Sequence, residues 1–91
     1  MKNETRVLRK SEVLKITGQS NTTIFERTKE GLFPTSISLG GRSVGYLEHE
    51  IYAVLTARAA GRSDKDIREL VTLMIAMRKV QADAFLDNLI A

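Results

Sequence analysis

The sequence predicts a mainly α-helical fold with a small β-hairpin and a long C-terminal helical segment. Three observations carry this expectation. Two short capped helical segments are separated by only three residues, "GQS". Between residues 36 and 46 the pattern switches to alternation around a pair of glycines. From Ser63 onward neither glycine nor proline interrupts the chain.

In "VLRKSEVLKITG", Ser11 is placed to cap a helix of about two turns, with Val13, Leu14 and Thr17 on one face and Gly18 at its end. The segment "QSNTTIFERTKEG" repeats this grammar: Ser20 caps, Ile24 and Phe25 face inward with Thr28, and Gly31 closes. Two short helices across a tight turn containing glycine form the pattern of a helix-turn-helix, whose second helix enters the major groove. Asn21, Thr22 and Thr23 then lie in the first turn of that helix beside Ser20, where side chains reach base edges. Arg27 and Lys29 lie further along it for bases or phosphates, and Arg9 and Lys10 add positive charge ahead of the first helix.

Pro34 forbids continuation of the second helix, and Ile37 and Leu39 alternate with Ser36 and Ser38 as in a half-buried strand. "GGR" reads as a turn, since adjacent glycines permit the positive φ of tight hairpins, and "SVGY" returns as the second strand. A hairpin following a recognition helix is a wing, and Arg42 at its tip can lay a guanidinium against phosphates or into a narrow minor groove. A nucleotide loop is the poorer reading of "GGR", because no GxxxxGK[ST] pattern surrounds it. "LEHEIYAVLTARAAG" forms the next helix, with Glu48 and Glu50 at its positive N-terminal end, Ile51, Val54, Leu55 and Arg58 on one face, and Gly61 at its end.

The fold class is thus a winged helix-turn-helix over residues 1–62, extended by residues 63–91 as one long helix or two with a bend. Ser63 caps that extension, with Asp64 and Asp66 in its first turn. Ile67, Leu70, Met74 and Met77 repeat at near-heptad spacing, and Val71, Leu73, Val80, Phe85 and Leu89 widen the apolar surface. This surface exceeds what one small winged domain needs to cover. The expectation is a homo-oligomer, most simply a dimer, with Ile67, Leu70, Met74, Met77, Phe85 and Leu89 in the interface. The alternative is that the segment folds back and completes the monomer core.

Ninety-one residues suffice for one small domain with a modest core. The net charge is +3 and the isoelectric point about 9.5. The basic excess is confined to residues 1–62, with ten Lys and Arg against six Asp and Glu; residues 63–91 carry four against five. Such a distribution favours a polyanionic partner for the first part. With no cysteine there is neither a disulfide framework nor a thiolate metal site. The N-terminal stretch has no apolar signal core, and "LVTLMIAM" is far shorter than the ~20 residues of a membrane span. The expected location is the cytoplasm, at the nucleoid, without a membrane partner.

Residues 7–60 resemble the AlpA-like phage and prophage regulators, relatives of excisionases with a MerR-like winged helix. The resemblance rests on "EVLKITG", on "S-x-x-TI-x-x-x-x-x-x-G-x-FP", on the hairpin "LGGR-x-VG", and on the acidic helix start "E-x-E", in that order. It implies a DNA-binding accessory protein of an integrated mobile element, acting as a recombination directionality factor, as a transcriptional regulator of an integrase gene, or as both. It places recognition on Ser20, Asn21, Thr22, Thr23 and Arg27, the wing contact on Arg42, and a core aromatic at Phe25. Glu26 beside Arg27 departs from the more basic recognition helix usual in the family. The chain also continues past Gly61, where many members stop.

No enzyme is expected. The one histidine, His49, lacks a second histidine at helical spacing, and no nucleophile or nucleotide loop is evident. Neither a cofactor nor a metal is implied. The partners expected are double-stranded DNA, a second copy of the chain, and an integrase or other recombinase. The alternative from another class is an interaction adaptor that recruits a recombinase or polymerase through the apolar C-terminal helix.

Overall fold

The computed structural model describes residues 6–90. In chain order the elements are β1 (Val7–Leu8), α1 (Lys10–Thr17), α2 (Asn21–Lys29), β2 (Ile37–Ser38), β3 (Val44–Leu47), α3 (Glu48–Ala59) and α4 (Asp64–Ile90). The architecture is a winged helix-turn-helix with a single continuous C-terminal helix.

Helix α1 begins two residues earlier than Ser11 as its cap would set it. Arg9 occupies the N-cap position, and the Glu12 carboxylate, three residues on, accepts a hydrogen bond from the Arg9 backbone N–H at 2.9 Å. A glutamate reaching back in this way satisfies a helix-start amide without a capping hydroxyl, so Ser11 is left exposed in the first turn. Gly18 ends α1 at φ 67°, its N–H bonded to the Leu14 carbonyl. The cap of α2 is as expected: Ser20 Oγ accepts from the Thr23 N–H at 3.1 Å.

Only part of the expected inward face of α2 is buried. Ile24 is fully enclosed, but Phe25, expected in the core, is 60% exposed. The physical reason is angular. Successive residues sit 100° apart around a helix, and on so short a helix the buried arc is filled by Ile24 and the half-buried Thr28. Thr28 Oγ donates to the Ile24 carbonyl at 2.7 Å, which removes its polar atom from competition with the core.

Strands β2 and β3 form the wing, antiparallel with Ile37 opposite Gly45 and Ser38 opposite Val44. The loop closes through Leu39 N–H to Ser43 O at 2.8 Å and Ser43 N–H to Gly40 O at 3.0 Å. Gly40 and Gly41 lie at φ 100° and 56°, which side-chain-bearing residues seldom adopt. Strand β1 adds to the other edge of β3, pairing Val7 with Leu47 and Leu8 with Tyr46, so a three-stranded sheet replaces the isolated hairpin. Two-residue strands carry too little alternation to be read from sequence. Gly45 lies under β1, where an added Cβ would fall inside van der Waals contact of Val7 Cγ1.

The core comprises Leu8, Val13, Ile24, Leu32, Phe33, Tyr46, Ile51, Val54, Ile67 and Val71. Its last two members come from α4 and correct the expectation that Ile67 lies in an intermolecular interface. Ile67 is fully buried in the chain's own core, and Met74 packs against that core. Three short helices and a small sheet leave the Ile51 and Val54 face of α3 uncovered, and the first half of α4 covers it. The core therefore does not stop at residue 62. Leu70 is half-buried, whereas Met77, Phe85 and Leu89 are exposed. Ser63 Oγ accepts from the Asp66 N–H at 3.2 Å at the start of α4.

Candidate nucleic-acid interface

The second helix of the helix-turn-helix presents Asn21, Thr22, Phe25, Glu26 and Lys29 to solvent. Asn21, Phe25 and Lys29 are spaced by four and form one stripe along it. Ser20 and Thr23 are engaged in the cap: beyond accepting the Thr23 N–H, the Ser20 hydroxyl donates to Thr23 Oγ1 at 2.9 Å. Arg27, two residues from Phe25, sits about 200° around the helix from it. There it pairs with Glu30 at 3.1 Å and lines a small cleft with Thr17, Gln19 and Arg58.

The flank bearing Phe25 and Lys29 faces the sheet across a shallow groove whose other walls are Lys10, Thr35, Ser36 and Tyr46. Each lysine stands near an aromatic ring, Lys29 Nζ 5.4 Å from the centroid of Phe25 and Lys10 Nζ 5.9 Å from that of Tyr46. Both lie within the range at which a ring quadrupole attracts a cation. Tyr46 is itself fixed edge-on to Phe33, centroids 6.2 Å apart. The groove is thus apolar at its base and cationic along its rims.

Arg9 couples this flank to the wing. Its Nη1 donates to Ser43 Oγ at 3.2 Å and to the Val44 carbonyl at 3.3 Å, so the start of α1 is held to the wing loop beside the exposed Arg42. The structure thereby groups Arg9, Lys10 and Arg42 on the wing side and joins Lys10 to Phe25 and Lys29 through the groove. Arg27 lies apart from this set. Sequence reasoning missed Phe25 and Tyr46 as surface and groove residues. The four-residue spacing of Asn21, Phe25 and Lys29, with Ile24 already in the inward position, was the available signal for Phe25.

One buried polar contact supports this scaffold from behind. Glu50, in the first turn of α3, is 1% exposed. Arg78 of α4 donates to it from Nε at 2.9 Å and from Nη2 at 2.5 Å. The same guanidinium donates to the Thr35 carbonyl at 2.9 Å and to Thr35 Oγ1 at 3.2 Å, and so braces the segment that leads from α2 into the wing. Its hydrogen bonds to Glu50 hold the Arg78 pKa above the ordinary arginine value against the opposing effect of burial.

Among the described residues no group of three or more His, Cys, Asp and Glu is arranged to hold a metal ion, and His49 is exposed at the start of α3. No described helix is long and apolar enough to cross a membrane.

The chain is 44% identical over 57 residues to the uncharacterized protein ORF88 of Enterobacteria phage P4, an alignment covering 63% of this chain and 65% of that protein. It therefore spans just under two thirds of the length of this relative. No solved structure matches the chain. Residues 6–58, from the strand before α1 to the end of α3, match the family described as prophage CP4-57 regulatory protein (AlpA), and α4 lies beyond the matched region. The chain belongs to the prophage CP4-57 regulatory protein (AlpA) family of phage regulators.

Proposed function

We propose that the protein binds double-stranded DNA, with α2 in the major groove and the wing tip against the backbone or minor groove. As a regulator of an integrated element, it acts as a recombination directionality factor, as a transcriptional regulator of the integrase gene, or as both. The observation that carries this reading is the placing of Lys10 and Lys29 on the rims of one groove beside the exposed flank of α2, with Arg9, next to Lys10, bonded to the wing loop that carries the exposed Arg42. Phosphate contacts of this kind fix register on a duplex, and side chains such as Asn21 and Thr22 read base edges. The test is a footprint of the purified protein on the element's attachment site and on the integrase promoter. Protection of the attachment site assigns excision, protection of the promoter assigns transcription, and protection of neither overturns the proposal.

The distal part of α4 supports a second element of the reading, self-association. Among the described side chains from Lys79 to Leu89 none packs against the core, yet Val80, Phe85, Leu86 and Leu89 are exposed there. A helical stretch of about a dozen residues is marginal alone in water, and pairing with a second copy supplies a partner for its apolar side chains. Met77, Phe85 and Leu89 remain candidates for that contact, whereas Ile67 and Met74 serve the monomer. Pairing two weak DNA readers raises their effective concentration on repeated half-sites. The same apolar segment is what favours the adaptor reading, in which it recruits an integrase, another recombinase or a polymerase. A full chain that remains monomeric in ultracentrifugation and is pulled down by the element's integrase favours that adaptor.

A further inference from the structure

We infer that Phe25 is a specificity-determining residue that contacts the 5-methyl group of a thymine in the major groove. The inference rests on the DNA-binding reading above and deepens it. Phe25 is a large apolar side chain, 60% exposed, on the groove-side flank of a helix whose core position is already filled by Ile24. A single exposed apolar residue is ordinary, but the surroundings of this one are particular. Asn21 and Lys29 flank it on the same stripe, the Lys29 ammonium stands 5.4 Å from its ring, and Lys10 rims the groove opposite.

An apolar protein surface would not complement a ring bordered by two ammonium groups, because their desolvation would oppose docking. A polyanion that also displays an isolated apolar group does complement it. On the major-groove edge of DNA the thymine methyl is the apolar group, and phenylalanine is among the side chains that contact it. Phosphates on either side of such a base satisfy the lysines.

The experiment uses the full chain and a duplex carrying the footprinted sequence, with thymines replaced singly by deoxyuridine, which removes the methyl and retains base pairing. At one or two positions the wild-type protein is expected to lose roughly fourfold in affinity, the value of one buried methyl-sized group. Phe25→Ala is expected to bind the unmodified duplex more weakly by a similar factor and to be indifferent to deoxyuridine at those positions, which closes the double-mutant cycle. Thermal melting equal to wild type shows that Phe25→Ala is folded. Phe25→Ala that keeps the full deoxyuridine penalty, or a wild-type protein indifferent to every deoxyuridine while still footprinting, overturns the thymine contact and leaves DNA binding standing. The second result is what insertion of the ring between base steps would give. Failure of the wild-type protein to bind the duplex at all overturns both.

Discussion

Arg78 and Glu50, separated by 28 residues in sequence, form a buried ion pair that fastens the middle of α4 to the first turn of α3. The arginine also holds the Thr35 carbonyl, so one guanidinium ties together the C-terminal helix, the α3 start and the entry to the wing. Since its pKa is raised above an already high ordinary value, the stabilising charge is fully present below the unfolded value and is lost only under strongly alkaline conditions. Stability across the neutral range therefore receives no pH dependence from Arg78 itself.

Arg78→Leu leaves a carboxylate buried without its partner, and the expected loss is about 3–5 kcal/mol of folding stability. The double variant Glu50→Leu with Arg78→Leu removes the orphaned charge and is expected to recover most of that loss. Urea denaturation of the wild type, both single variants and the double variant checks this. A double variant no more stable than Arg78→Leu would show that the Thr35 contacts, and not the ion pair, hold α4 in place.

Gly45→Ala is expected to destabilise the protein by about 1–3 kcal/mol, because the new methyl meets Val7 Cγ1 and lies 3.3 Å from the Leu8 carbonyl oxygen. Val7→Ala removes the obstructing atom, so it should relieve part of the cost when combined with Gly45→Ala. Thermal melting of the four proteins measures the coupling. An additive double variant would place the strain elsewhere in the sheet.

Much of this arrangement is legible in the residues because it rests on local signals. Ser20, Gly18, Gly31 and the Gly40–Gly41 pair act through backbone geometry within a few residues, and each does what its type predicts. The misread features are those decided at a distance. Glu50 reads as a favourable charge at a helix start, but its burial is set by Arg78 far along the chain. Ile67 and Val71 read as part of an apolar excess because nothing local states that α3 has a face left to cover. Phe25 lies at the edge of a buried arc, where one position along the helix decides between core and solvent. Strand β1 is formed by β3 and has no pattern of its own.

The wing and its brace give separable outcomes. Arg42 is exposed in the wing loop, so Arg42→Ala is expected to leave melting unchanged, to weaken DNA binding about tenfold, and to reduce the salt slope by about one. Arg9 is bonded to Ser43 and the Val44 carbonyl, so Arg9→Ala is expected to lower stability by about 1 kcal/mol in addition to any loss of affinity. Binding titrations over a range of salt, paired with melting curves, distinguish the two. An Arg42→Ala protein with unaltered affinity and slope would remove the wing from the interface.

The apolar tail permits a cleaner test than removal of all residues after Gly61, since that cut would strip Ile67 and Val71 from the core and unfold the protein. Phe85 and Leu89 are exposed and lie beyond the Arg78 anchor, so replacing both by aspartate disturbs no intramolecular packing. The expected outcome is a folded protein with wild-type melting at low concentration that sediments as a monomer where the wild type sediments as a dimer. If pairing serves recognition, the same variant keeps its affinity for a single half-site and loses affinity for a duplex carrying two, because the second contact is no longer intramolecular. Equal sedimentation of variant and wild type would transfer the distal helix from self-association to the recruitment of another protein.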